Sequence, residues 1–237
     1  MSRAAMRATP AESRREAAGV RDWLAHNAWR VVVLFLCLLL PLAGFVALAE
    51  EIHEAEALYL DHALLWRMHG LASPALDAFF LLMSRLGYQW GVIPLDLLVV
   101  AVLAFRRRWR DTLFAATAFA GSALLNIGSK QLFQRERPSL WESIAPESTF
   151  SFPSGHAMGS MTLAATALFL AWNTRWRWPV AVAGLVFVPC VGLSRVHLGV
   201  HYPSDILGGW CAALAWVTGV HVLLFRRRWS PPVAVNP

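Results

Sequence analysis

The sequence predicts an all-α, polytopic membrane protein: a bundle of six transmembrane helices with a short interfacial helical segment after the first span. Of its 237 residues, 57% are hydrophobic and only 15% are charged, whereas soluble proteins average about 25% charged residues. The mean hydropathy is +0.47. Because each span needs about 20 mostly apolar residues, six spans would use roughly half of the chain. A single membrane domain with short connections is therefore expected.

Six apolar runs define the predicted spans: residues 31–49, 87–105, 111–133, 155–172, 178–193 and 205–225. The domain should cover residues 31–225, between an N-terminal segment (1–30) and a tail (226–237). An Ala-Leu-Ala sequence at 47–49 resembles a signal-peptide cleavage site. The long basic N-terminal region and the length of the first apolar run favour a retained span.

Arginine clusters predict the topology. They lie in the N-terminal segment, between the second and third runs, between the fourth and fifth runs, and after the sixth run. Positive residues mark the cytoplasmic side, so both termini are expected in the cytoplasm and the connections 50–86, 134–154 and 194–204 outside it. The net charge of +6 thus reflects topology rather than a nucleic-acid partner.

The first outer connection is acidic and has apolar residues at helical spacing, which favours an interfacial helix. Its apolar positions are Ala57, Leu60, Leu64, Leu65 and Met68. Such a helix either covers the end of the bundle or controls lateral access of a lipid. Elsewhere, three cysteines at 37, 190 and 211 lie inside apolar runs without disulfide or metal-ligand spacing, and we expect them to be packing residues.

Polar residues at the outer ends of the third and fourth runs form the first candidate site. Lys130 is the only lysine beside twenty arginines and is followed by Arg137; alone, it could be a cation snorkelling at a helix end. Ser154 and Gly155 begin the fourth run, where free backbone N–H groups can bind a phosphate, or where Ser154 is simply an N-cap. His156 follows in the first turn, where an imidazole is unfavourable in a membrane unless paired or hydrated.

The last outer connection contains a second candidate group. Pro203 suits the first turn of a helix, which places Asp205 in that turn and His201 just before it. A carboxylate bonded to one ring nitrogen leaves the other with its lone pair exposed, as a nucleophile requires. One histidine and one aspartate at this spacing can also be coincidental.

Together these residues form three motifs: Lys130-x6-Arg137-Pro138, Pro153-Ser154-Gly155-His156 and Ser194-Arg195-x5-His201-x3-Asp205. In this order, on one side of the membrane, they resemble the three-part signature of the type 2 phosphatidic acid phosphatase superfamily, in its branch of bacterial membrane lipid phosphatases. Every signature position matches, and the resemblance covers roughly residues 87–225. His197 falls at a variable position of the signature, so a structural role or a role at the rim of the site, rather than catalysis, is expected for it.

The resemblance implies a role for each residue. His201 would attack phosphorus and form a phosphohistidine, oriented by Asp205. His156 would protonate the departing lipid oxygen and then activate water. The phosphoryl oxygens would be held by Lys130, Arg137, Ser154, Gly155 and Arg195. Because cations replace the usual magnesium, no metal or other cofactor is expected.

The implied function is that of a metal-independent lipid phosphate phosphatase whose partners are its lipid substrate and the bilayer. Soluble vanadium haloperoxidases share the signature, but six spans argue against that class. A non-catalytic transporter or binding protein for an anionic lipid is the alternative. Undecaprenyl pyrophosphate, phosphatidylglycerophosphate, phosphatidic acid and a lipid A phosphate all remain possible substrates. Short loops and an outward site favour a bacterial inner-membrane enzyme of broad specificity, with its active site facing the periplasm or exterior.

Overall fold

A computed structural model describes Ala28 and residues 31–53 and 59–225 of the chain. The predicted tail, and the N-terminal segment apart from Ala28, lie outside these residues. The first helix, α1, contains a π-helical turn, Phe35–Leu39, followed by the α-helix Leu40–His53. The others are α2 (Tyr59–His69), α3 (Pro74–Leu86), α4 (Val92–Phe105), α5 (Trp109–Phe133), α6 (Gly155–Ala171), α7 (Arg177–His197) and α8 (Pro203–Leu224). The described residues contain no strand, and the all-α prediction is confirmed.

Six of these helices coincide with the six predicted runs. Within the described residues, four stretches are long and apolar enough to cross a membrane: Val31–Ile52, Trp109–Phe133, Arg177–His197 and Pro203–Leu224. Helices α4 and α6 are apolar but shorter. The 14 residues of α4 extend about 21 Å, against about 30 Å for a bilayer core. The long apolar stretches confirm a multi-pass membrane fold. Because α4 and α6 are short, the count of six spans stays a prediction.

Three predicted boundaries differ from the structure by four or five residues, and the first of them is the end of α1, which continues past 49 to His53. Helix α4 begins at Val92 rather than at 87, because residues 87–91 form the turn that follows α3. Helix α7 continues past 193 to His197. Its last turn stays helical because the polar side chains there find partners in the protein: Arg195 donates to Ser84, and His197 contacts Asp77.

The predicted helical segment after the first span is confirmed, but it consists of two helices, α2 and α3, rather than one. Leu65 of α2 is fully buried and packs in a cluster with Ala157, Val196 and Ile206. Met68 packs against this cluster, while Leu60 and Leu64 are exposed, and Ala57 lies outside the described residues. Helix α2 therefore covers the ends of the bundle helices α6, α7 and α8.

The bundle is organised around α6 and α8, which pack against each other along their lengths. Toward the arginine-rich end, Phe114, Ala165 and Val217 belong to one buried cluster from α5, α6 and α8. The outer surfaces of the long helices carry leucines that are 70–76% exposed, such as Leu124, Leu185 and Leu223. Apolar side chains pointing outward along a whole helix are typical of a surface that faces lipid.

Candidate active site

The candidate active site lies at the end of the bundle away from the arginine-rich turns. It is built from helix ends and from two loops, 134–154 and 198–202. Helices α5 and α7 contribute Lys130 and Arg195 near their C-termini, and α6 and α8 contribute His156 and Asp205 in their first turns. Side chains far apart in the sequence thereby meet at one end of the molecule.

His201 and Asp205 form the pair that the sequence predicted. Nδ1 of His201 lies 3.2 Å from Oδ2 of Asp205, and both residues are fully buried. The carboxylate is fixed by the start of α8, because the backbone N–H of Tyr202 donates to Oδ2 at 2.8 Å. The hydroxyl of Ser151 also donates to this oxygen. Asp205 can therefore hold the imidazole in one orientation.

Arg137 lies on the other side of the imidazole. Its Nη1 is 3.1 Å from Nε2 of His201, and it also donates to the carbonyl of Val200 at 2.6 Å. A guanidinium only donates, so Nε2 accepts and Nδ1 carries the proton that faces Asp205. Burial, reinforced by Arg137 and Arg195, lowers the pKa of His201 well below its ordinary value. The ring is therefore neutral at neutral pH, and the lone pair of its Nε2 faces Arg137.

The other two predicted cations occupy different depths. Arg195 is only 1% exposed, and its Nη1 donates to Ser84 of α3. Its Nε is buried without a hydrogen-bond partner among the described residues. Lys130 lies at the rim, where its ammonium donates to the Thr149 hydroxyl at 3.1 Å and to the Phe150 carbonyl. Arg137 donates to the same hydroxyl at 3.0 Å, so Thr149 links two cations.

The start of α6 supplies the remaining predicted residues. Ser154 is the N-cap of α6: its hydroxyl accepts the N–H of Ala157 at 3.5 Å. A Cβ at Gly155 would lie 3.1 Å from Asn126 Oδ1, which leaves little room for a larger residue. The ring of His156 packs on Tyr88, with the centroids 5.0 Å apart. Ser154 thus has the simple capping contact that the sequence analysis left open.

Glycines allow these segments to approach one another closely. A Cβ at Gly208 would lie 2.3 Å from the ring of Phe152, and one at Gly209 would lie 2.9 Å from the carbonyl of Ser154. Only glycine therefore permits the first turns of α8 to pack against the segment that leads into α6. Gly199 has a positive φ of 68° and turns the chain from α7 into the loop that carries His201.

Glu147 is a major site residue that the sequence analysis missed. Its carboxylate lies 2.7 Å from Nη2 of Arg137 and also pairs with Arg195. The same carboxylate lies 3.8 Å from Nδ1 of His156 and 4.0 Å from Nε2 of His201. Glu147 sits in an irregular loop at no fixed spacing from the motifs, so nothing in the sequence pattern distinguished it.

A second missed group surrounds Asp205. Arg135 donates to Oδ1 of Asp205 at 2.6 Å and to the Ser204 hydroxyl at 2.7 Å. Its other Nη pairs with Asp61 of α2 at 2.9 Å. The sequence contained a signal that Asp61 is buried. Asp61 lies one helical turn before Leu65, which was predicted to lie on the apolar face, so the two side chains share that face. Asp61 is also one of several acidic residues in its connection, which concealed this signal.

His197 is separate from this site. Its Nε2 lies 2.8 Å from Oδ1 of Asp77, and its ring packs on Phe80 with the centroids 4.6 Å apart. These contacts join α7 to α3 and fit the structural role expected for His197.

Comparisons with known proteins agree with the motifs. The family model described as the PAP2 superfamily matches residues 111–229. Phosphatidylglycerophosphatase B of Bacillus subtilis is 32% identical over 176 residues, which cover 72% of this chain and 86% of that protein. An undecaprenyl-diphosphatase of Sulfolobus acidocaldarius is 28% identical over 152 residues, covering 62% of this chain and 69% of the relative.

A solved structure has the same fold. It is that of a transmembrane PAP2-type phosphatidylglycerolphosphate phosphatase from Bacillus subtilis, with a TM-score of 0.70 and 29% identity. The match covers 81% of this chain and 98% of the solved chain.

Proposed function

Because the chain belongs to the PAP2 superfamily, we propose that it hydrolyses the phosphate or pyrophosphate group of a membrane lipid through a phosphohistidine on His201. Its relatives make it a membrane lipid phosphate phosphatase. The observation that carries the finer proposal is the environment of His201, which has Asp205 at one ring nitrogen and Arg137 at the other. This arrangement suits a neutral, oriented nucleophile next to a bound anion.

In the first step, the Nε2 lone pair of His201 attacks phosphorus, and the bond from phosphorus to the lipid oxygen breaks. His156 donates a proton to the departing oxygen, so the lipid leaves as an alcohol or as a lipid monophosphate. A bound phosphate carries about −1.5 to −2 charge, which favours the protonated form of His156 before transfer. Asp205 stabilises the positive charge that the ring of His201 acquires.

In the second step, His156 is neutral and accepts a proton from water. The resulting hydroxide attacks phosphorus, the phosphorus–nitrogen bond breaks, and inorganic phosphate leaves. The lone pair returns to Nε2 of His201, so both histidines regain their starting states. His201 is therefore the nucleophile in the first step and the leaving group in the second, and His156 is the general acid in the first step and the general base in the second.

The cations contribute by positioning and by stabilising charge, which dominate phosphoryl transfer. Arg137 contacts His201, Arg195 pairs with the Glu147 carboxylate that lies beside both histidines, and Lys130 at the rim would hold an outer phosphoryl oxygen. Ser154 and Gly155 would add the start of α6, where backbone N–H groups favour an anion. Three cations offset the charge of the phosphate, the task that magnesium performs in other phosphoryl-transfer enzymes.

For the substrate and the location, we extend the proposal from the relatives and the arginine pattern. The named activities of the relatives are a phosphatidylglycerophosphatase and an undecaprenyl-diphosphatase, which both remove a terminal phosphate from a lipid. We therefore favour a broad-specificity enzyme of the bacterial inner membrane. The positive-inside rule puts both termini in the cytoplasm and the site at the periplasmic or exterior face.

The test is phosphate release by purified protein in detergent. Undecaprenyl pyrophosphate, phosphatidylglycerophosphate, phosphatidic acid and lipid A phosphate would be compared, with and without EDTA. We expect release from at least one lipid, undiminished by EDTA and inhibited by vanadate, a mimic of pentacoordinate phosphorus. His201→Ala is the inactive control. Complete loss with EDTA and recovery with magnesium would contradict the cationic site, and binding without release would favour a transporter or lipid-binding protein.

A further inference from the structure

The carboxylate of Glu147 contacts the groups to which the proposed function assigns the phosphate. One oxygen is 2.7 Å from Nη2 of Arg137, and the other pairs with Nη2 of Arg195. The histidines approach the same two oxygens, His156 at 3.8 Å and His201 at 4.0 Å. A phosphoryl group that meets all four side chains would have to occupy the volume that this carboxylate fills.

Glu147 is a genuine anion in this position. Burial raises the pKa of its carboxyl, but the positive charges of its neighbours, above all Arg195 and also Arg137, outweigh burial and leave the pKa below its ordinary value. The carboxylate is therefore ionised at neutral pH. Arg195 is almost fully buried, and a buried cation without a counter-ion is strongly destabilising. Glu147 supplies that counter-ion.

The loop geometry lets Glu147 leave the site without moving a helix. The loop is fastened on one side of it by Ser143, whose hydroxyl donates to the carbonyl of Leu198 at 2.5 Å. On the other side it is fastened at Thr149, whose carbonyl accepts from Nε of Arg137 at 2.6 Å. Between these points, Pro146 and Ser148 are exposed, and the Glu147 side chain itself is 28% exposed. Rotation of one side chain toward solvent is sufficient.

We propose that Glu147 is an internal competitor for the phosphate: its carboxylate occupies the phosphoryl position between turnovers and must swing out before a substrate phosphate can bind. This inference rests on the proposed function, since it assigns the phosphate to the same side chains. It gives Glu147 the role of setting the affinity of the site for anions. After hydrolysis, the returning carboxylate displaces inorganic phosphate and limits inhibition by the product.

Competition of this kind has a quantitative signature. Every anion that enters must displace the same carboxylate, so removing the carboxylate should tighten the binding of different anions by the same factor. A residue that only shapes the loop would give the opposite result, because its loss would disorder the site and weaken binding. The sign of the change and its equality between anions therefore separate the two roles.

The experiment measures the dissociation constants of inorganic phosphate and sulfate for the detergent-purified full-length protein by calorimetry. In Glu147→Gln we expect both constants to fall by the same factor, about tenfold or more, within the usual range for coupled sites. The thermal midpoint without ligand should fall, because Arg195 loses its counter-ion, and phosphate should raise it more than in the wild type. Glu147→Asp keeps the charge but reaches less far, so it should fold normally and shift both constants in the same direction by less.

Glu142→Gln is the matched control. Glu142 lies on the same loop and is exposed, so the same change of charge there should alter the constants by no more than about twofold. This inference alone would be overturned if the wild type releases phosphate from lipids but both Glu147 variants bind phosphate no more tightly than the wild type does. A wild type that neither binds phosphate nor hydrolyses a lipid would overturn the proposed function itself.

Discussion

His156 and His201 face the two oxygens of one carboxylate, at 3.8 and 4.0 Å. A phosphoryl group in that position would have one histidine toward the attacked phosphorus and the other toward a departing oxygen. The residues therefore have similar surroundings but different proposed tasks. Only His201 has a buried carboxylate on its Nδ1, which is why we assign the nucleophile to it.

Leaving groups of different quality should separate the two histidines. General acid catalysis typically contributes about 10²–10⁴-fold, so His156→Ala should lose phosphate release from phosphatidic acid by about that factor. An aryl phosphate leaves as a stable phenolate and needs little protonation. The same variant should therefore keep a burst of nitrophenolate from p-nitrophenyl phosphate, measured by rapid mixing.

His201→Ala is the comparison in that experiment and should lose both substrates alike, because it lacks the nucleophile. If chemistry is rate-limiting and His156→Ala loses phosphorylation rate equally with both substrates, His156 binds the phosphate and does not act as the acid.

Only part of the site was predictable residue by residue. The signature residues meet because motifs at helix ends converge when the helices pack side by side. Glu147 and Ser151 reach the site through the path of an irregular loop, which no periodicity describes. The depth of each cation was also unpredictable: Arg195 is buried and Lys130 lies at the rim, although both follow apolar runs.

Helix α2 is fastened to the site by one buried carboxylate. Asp61 is 3% exposed, pairs with Arg135 at 2.9 Å, and accepts the backbone N–H of Ser204 at 2.9 Å. Because Arg135 also binds Asp205, the helix that covers the bundle and the nucleophile pair share one guanidinium. The position of α2 is therefore linked to the orientation of His201.

Asp61→Asn should loosen this link. Removing one partner of a buried ion pair typically costs about 3–5 kcal/mol, so the thermal midpoint should fall clearly. Turnover should fall as well, because among the described residues Arg135 then has Asp205 as its sole carboxylate partner. Thermal unfolding and initial rates with phosphatidic acid check both expectations.

Asp111→Asn is a suitable control, since Asp111 pairs with the half-exposed Arg108 at 2.8 Å on the arginine-rich side. Such a pair contributes about 0–1 kcal/mol. Equal effects of the two substitutions would refute a special role for Asp61.

At the level of helices, apolar length predicted the six bundle helices closely, because lipid-facing and buried residues are both apolar in a membrane bundle. Hydropathy did not predict helix ends correctly where polar side chains are paired inside the protein. The last turn of α7 contains Arg195 and His197, and hydropathy ended the helix before them. The break between α2 and α3 was also missed, although Ser73 and Pro74 are an ordinary helix start.

The orientation of the whole molecule can be tested with two single cysteines. Ser139 and Arg106 are both exposed, at opposite ends of the bundle. After the native cysteines are replaced by alanine, Ser139→Cys should react with a membrane-impermeant maleimide on intact cells, and Arg106→Cys should react only after lysis. Equal protection of both positions would contradict an outward-facing site.

For the molecule as a whole, composition and arginine placement were enough to predict a helical membrane protein and the order of its helices. They contain no information on how closely the helices approach. That depends on small residues at crossing points, such as Gly208 against Phe152 and Gly209 against Ser154, and these contacts are not visible without coordinates.

The two glycine contacts have a mechanical consequence. They join the start of α8 to the segment that leads into α6, so His156 and Asp205 stand on one rigid block. Lys130 and Arg195 stand on the ends of two other helices, α5 and α7, and close glycine contacts also join these helices to α8: Gly121 of α5 lies against Trp216, and Gly192 of α7 lies against Trp210. A thinner or thicker bilayer changes helix tilt. Because such contacts interlock all four helices, we expect a change in membrane thickness to tilt them together and to leave the distances within the site nearly constant.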